Sequence, residues 1–146
     1  MPRFRLAVAP FAVPLAVAAL LAGCAATRKE PPPKPFAGTR WEVVLELPIA
    51  GETPWVRFGD GRMEGFGGCN RIAALYVQDS VGASAIGIRR IQAGQHACDR
   101  SARDAEEHIV GVLQAASSYS ITANTMTMSG SAGTLRFVAA PAEGKP

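Results

Sequence analysis

From Thr39 onward, apolar and polar residues mostly alternate with a period of two, the pattern of strands that bury one face. "TRWEVVLEL" predicts a strand ending at Pro48. "WVRFGDGRMEGF" predicts a hairpin in which Val56 and Phe58 flank Arg57. Asp60-Gly61 is its expected turn, because a tight two-residue connection needs positive φ. "NRIAALYVQ", "SAIGIRRIQ", "YSITA", "TMTMS" and "TLRFVA" predict further short strands, with a tight turn at Asn124-Thr125 and "SGSAG" as the loop before the last. The period changes once. Ala105, Ile109, Val112, Leu113 and Ala116 share one helical face, which predicts a helix over about 101–117. Ser101 is its expected cap, with Asp104 three residues on in the manner of a capping box. Glu106 and Glu107 lie in the half that the helix dipole favours for acids. The expected fold is α+β and β-rich: a curled antiparallel sheet or partly open barrel of short strands, with one packed helix.

The first residues follow a different pattern. Arg3 and Arg5 precede an apolar run from Leu6 to Leu21, the charged and apolar regions of a secretory signal. The run is shorter than the ~20 residues of a membrane span, and Pro10 and Pro14 interrupt it. It ends in "LAGC", which closely resembles the bacterial lipobox. That resemblance implies a signal peptide over 1–23, cleavage before Cys24, and attachment of acyl chains such as palmitate to Cys24. Several acyl chains hold a protein on a membrane, each buried CH₂ contributing ~0.8 kcal/mol. Ala25, where a retention signal would have Asp, resembles proteins sorted to the bacterial outer membrane. The domain would then face the periplasm.

Residues 24–37 read as the lipid-bearing cysteine and a proline-rich linker, "AATRKEPPPKP", too polar to bury a core and stiffened toward polyproline II. The folded domain is expected at 38–140 and a frayed tail at 141–146. The formal charge of +3 falls when Arg3 and Arg5 leave with the signal. No Lys/Arg stripe with interleaved aromatics follows Cys24, so nucleic acid is not an expected partner.

Together these residues resemble the META domain family, which includes HslJ-like heat-shock lipoproteins. The resemblance is carried by Trp41, Phe58, "GGCNR" at Gly67–Arg71, Tyr76, Ala97-Cys98, Glu106, Leu113, Tyr119, the alternating "MTM" and the final "LRF". Two positions depart from it: Gly94, where the family often has Thr, and His96, where it often has Met. The resemblance implies a β-rich envelope protein of the stress-response type. It brings no catalytic residues and no cofactor.

Of the three cysteines, Cys24 is assigned to lipid, which leaves Cys69 and Cys98. In an exported chain such a pair is expected as a disulfide. Closing a loop of about thirty residues contributes ~3.5 kcal/mol in the chain-entropy model. Three other readings compete. Two buried thiols pack as small hydrophobes. A thiol enzyme would set Cys69 or Cys98 beside His96 or His108, the histidines of the chain, as base. A zinc site would use all four side chains, but their spacing matches no zinc motif, and no metal is expected. Gly67 and Gly68 are expected at a strand bulge or sheet corner, with Asn70 bonding backbone locally and Arg71 opening the next strand. "GGCN" lacks the Lys-Ser/Thr and the helix of a phosphate loop.

Trp55 and Arg57, near Arg62 and Glu64 in the first hairpin, are candidate partner-binding residues, and His96 is a third. The expected function is non-enzymatic: a membrane-anchored lipoprotein with a stress-response or envelope-maintenance binding role and a periplasmic protein as partner. One alternative is an inhibitor of a periplasmic hydrolase, for which a rigid loop lowers the entropy cost of binding. The other is the thiol-dependent enzyme.

Overall fold

The computed structural model describes residues 31–78 and 84–141. The expected signal segment, Cys24 and most of the expected tail lie outside them. Eight strands form one antiparallel sheet: β1 (Arg40–Val43), β2 (Trp55–Gly59), β3 (Arg62–Phe66), β4 (Arg71–Gln78), β5 (Ile86–Ala93), β6 (Ala116–Thr122), β7 (Thr125–Gly130) and β8 (Gly133–Ala139). A single helix among the described residues, α1 (Arg100–Gln114), joins β5 to β6. The spatial order is β5-β4-β3-β2-β1-β8-β7-β6, so β1 joins the two halves of the sheet. The sheet curls until its outer strands approach: Ala85 bridges Ser118, and the Tyr119 N–H donates to the Ser84 carbonyl at 2.8 Å. This is the expected β-rich curled sheet with one helix.

The period-two pattern explains which face is inside. Met63, Ile72, Ala74, Met126, Met128, Leu135 and Phe137 are buried and alternate with exposed or half-buried residues. Trp41, Val56 and Phe58 complete the inner wall. Ile109, Val112 and Leu113 carry the apolar face of α1 into the same core, against β5, β7 and β8. The hairpin turn is at Asp60-Gly61, with φ of 49° and 73°, the positive values that the tight connection requires.

Several boundaries differ from expectation for physical reasons. β1 ends at Val43 instead of reaching Pro48, because its partner β2 is preceded by Pro54, which has no N–H for the ladder. The turn after β6 is Ala123-Asn124, with Ala123 at φ 51°, one residue earlier than expected. α1 is capped by Asp99, not Ser101. The Asp99 carboxylate accepts the Ala102 N–H at 2.8 Å, and the Ser101 hydroxyl donates to it at 2.7 Å. Those bonds hold the Asp99 carboxyl below its usual range. Asp104 faces Arg100 at 3.6 Å instead of completing a capping box. Ala116, expected on the helix, pairs with Gly130 as the first residue of β6. The domain also takes in part of the proline-rich segment, since Phe36 packs on the core and the Lys34 N–H donates to the Ala123 carbonyl.

Candidate functional site

"GGCN" is not a bulge within a strand. Phe66 pairs with Arg71, so Gly67–Asn70 is a four-residue hairpin loop between β3 and β4, closed by the Gly67 N–H donating to the Asn70 carbonyl at 2.9 Å. The bulges lie elsewhere, one in the β4–β5 pairing and one in the β6–β7 pairing. At the β5 bulge Arg90 has φ 56°.

The loop is fixed from two directions. Cys69 is disulfide-bonded to Cys98, with Cα atoms 5.8 Å apart. Glu106, on α1, turns its carboxylate into the loop. One oxygen accepts the backbone N–H groups of Cys69, at 3.2 Å, and of Asn70; the other accepts the Asn70 side-chain amide at 3.0 Å. Asn70 is buried and fully engaged, because its side-chain carbonyl accepts the His96 N–H at 2.8 Å. Bonds to a charged acceptor are the stronger kind, and a buried amide left unpaired is costly. Loop, helix and the β5–α1 connection are thereby one joint.

Side-chain size explains two of the glycines. A Cβ on Gly67 would stand 2.7 Å from the Glu106 side chain. A Cβ on Gly94 would come within 2.9 Å of the Asn70 side-chain oxygen.

This geometry decides what Cys69 and Cys98 can do chemically. Both sulfurs are in one bond, so neither is a thiolate nucleophile or thiolate ligand. His96 is exposed and enters the joint through its backbone. His108 is exposed on α1. Among the described residues, no three His, Cys, Asp or Glu side chains converge as metal ligands.

The other cluster lies on the outer face of β1–β4. Trp55 is the platform. Arg40 lies over its ring at 4.3 Å, Arg71 at 5.4 Å and Arg57 at 5.7 Å, and Arg71 also covers Phe66 at 5.4 Å. Such contacts favour arginine over lysine because the planar guanidinium stacks. Glu52 ties the cluster together. It accepts the Trp55 indole N–H at 2.7 Å and faces Arg40 and Arg71, each at 3.3 Å. The indole hydrogen bond, then the two guanidiniums, hold the Glu52 carboxyl below its usual range. Arg57 pairs with Glu64 at 3.6 Å. The Nε–H groups of Arg40 and Arg57 are buried without a hydrogen-bond acceptor, and the Glu42 carboxylate lies 3.7 Å from the Arg40 Nε. The structure places the candidates Trp55 and Arg57 in one cluster with Arg40, Glu52 and Arg71. Trp55 itself is only 8% exposed, so solvent meets the arginines and carboxylates above it. His96 is not among these contacts. Arg40 and Glu52 escaped the sequence reading because they come from β1 and the β1–β2 connection, and nothing local marks them as neighbours of Trp55.

With this geometry in hand, comparison with known proteins is informative. The model of the META domain family matches residues 34–142. The NMR structure of a protein from Burkholderia xenovorans is 18% identical, with a TM-score of 0.58, over 72% of this chain and 83% of its own. Another protein solved by NMR is 19% identical, with a TM-score of 0.55, over 68% of this chain and 87% of its own. At these identities the likeness is one of fold. No curated protein matches the chain significantly.

Proposed function

Given that the chain belongs to the META domain family, we propose that it is a lipid-anchored, non-enzymatic domain of the bacterial envelope, held at the outer membrane through Cys24. Its role is to bind a periplasmic protein in envelope maintenance under stress. The observation that carries this reading is the use to which the family motif is put. Cys69 is bonded to Cys98, and Asn70 is saturated by Glu106 and His96, so the motif supports a shape. The residues left to meet a partner are Arg40, Arg57 and Arg71 above Trp55. Arginine is enriched where proteins dock, because its planar fork presents several donors and loses less entropy for each hydrogen bond formed.

The anchor rests on "LAGC" and is tested by fatty-acid labelling. Label entering the unmodified protein and absent from Cys24→Ser supports it; label in the serine variant contradicts it. The binding face is tested by a photo-crosslinking residue at position 73, exposed on the same outer face of β4 as Arg71, in intact cells. One captured envelope protein, lost in Arg71→Glu, supports the reading. Capture unchanged by Arg71→Glu, or none, contradicts it.

A further inference from the structure

The two ends of the curled sheet are closed differently. α1 covers the end that carries the β3–β4 and β7–β8 connections, and it does so with several buried side chains. The other end, at the β2–β3 and β6–β7 turns, is crossed by a strap, residues 34–38, whose residues are exposed except for the ring of Phe36. That ring stacks on Phe58 with centroids 4.4 Å apart, lies 4.6 Å from Tyr119 and meets Tyr76 edge-on at 5.6 Å. The three partners come from β2, β6 and β4, so Phe36 sits across the mouth. Gln78 donates its side-chain amide to the Tyr119 hydroxyl beside it.

The strap is fastened by hydrogen bonds and one bridge, with no strand pairing beyond it. The Lys34 N–H donates to the Ala123 carbonyl at 2.7 Å, the Gly38 N–H to the Phe58 carbonyl at 2.8 Å, the Trp41 indole to the Phe36 carbonyl at 3.1 Å and the Thr39 hydroxyl to the Pro35 carbonyl at 2.7 Å, and Ala37 forms an isolated bridge with Phe58. Gly38 has φ +80°, and open space surrounds the place a Cβ would take, so the chain can pivot there.

We propose that Phe36 is a displaceable internal occupant, and that the cup of Phe58, Tyr76 and Tyr119 is a binding site for a phenyl-sized aromatic side chain on a partner polypeptide. The occupant's chemistry defines the ligand. The cup already holds a phenyl ring in stacked and edge-on contacts, which aromatic rings satisfy and aliphatic groups do not. The strap contributes a single ring to the core, and its neighbours on both sides are exposed. Tethering gives Phe36 a high effective concentration, so the cup opens only to a competing ring or when the strap is drawn away. The cup is on the inner side of the sheet and the arginine–tryptophan face on the outer side. Failure here therefore leaves the proposed docking face standing, and failure there leaves the cup standing.

The test is made on the intact chain with N-acetyl-phenylalaninamide as probe and N-acetyl-alaninamide as control. In the unmodified protein, the Lys34 and Gly38 amides are expected to exchange with solvent at least ~100-fold faster than the β2–β3 ladder, the mark of local opening. Phe36→Ala is expected to stay folded and to bind the aromatic probe, with NMR shifts at Phe58, Tyr76 and Tyr119 and none from the control. The unmodified protein should bind it at least ~10-fold more weakly, because its own ring competes. Strap amides that exchange only with the β2–β3 ladder would overturn the proposal. So would a Phe36→Ala chain that unfolds, or one that binds neither probe or both alike.

Discussion

The Glu106 carboxylate on α1 holds Asn70, 36 positions earlier in the chain, by both its backbone N–H and its side-chain amide. Both residues stand out in the sequence, but nothing there pairs them. Together they fix the helix to the β3–β4 loop independently of the disulfide. Glu106→Ala should therefore destabilise the domain by about 2–4 kcal/mol, since it leaves the donors of Cys69 and Asn70 unpaired. In a double-mutant cycle with Asn70→Ala, the combined loss should fall well short of the sum. Denaturant titration of the four proteins measures this. Additive losses would show that the two side chains act separately.

Glu52 predicts a pH dependence. Its carboxyl is held below the ordinary value by the Trp55 indole and then by Arg71 and Arg40. A depressed folded-state pKa contributes stability above the unfolded value, about 4.3, and that stability is lost as pH falls through the folded one. Glu52→Gln should be less stable than the unmodified protein at pH 7, and the gap should close in acid. A gap that stays constant from neutral to acid pH would mean that the charge of Glu52 does not matter. Urea denaturation at a series of pH values follows it.

Leu113 is fully buried on α1 among the residues of the sheet core. Leu113→Ala should cost about 2–5 kcal/mol. Gly111→Ala, on the same helix where a Cβ meets open space, should be neutral or stabilising by up to about 1 kcal/mol through helix propensity. Thermal unfolding of both variants separates packing from propensity. A neutral Leu113→Ala would contradict the docking of α1 described above.

The strands and the helix were legible because burial imposes a period on each element alone. Val56 and Phe58, or Ile109 and Leu113, declare their inner face without reference to any other part of the chain. The cysteine pair was legible because two cysteines remain once Cys24 is assigned to lipid, and such a pair in a chain expected to be exported points to a bond. What escaped depended on distant residues. The end of β1 is set by Pro54 across the sheet, and the platform of Trp55 is roofed by Arg40 and Arg71 from other strands. Glu106 looked like an acid placed for the helix dipole, while its task is to satisfy backbone donors 36 and 37 positions away. The helix cap was missed by two residues because Asp99 and Ser101 both fit, and the carboxylate is the stronger acceptor.

The Gly-Gly-Cys-Asn-Arg element is a structural joint, with Cys69 and Cys98 as its covalent half. The most direct measurement is alkylation of the unreduced, denatured protein, read by mass spectrometry at each cysteine. Cys69 and Cys98 should take up no reagent before reduction and one equivalent each afterwards. Cys69→Ser and Cys98→Ser should each cost about 2–5 kcal/mol, and the double variant no more than either. Full alkylation of both cysteines before reduction would contradict the account.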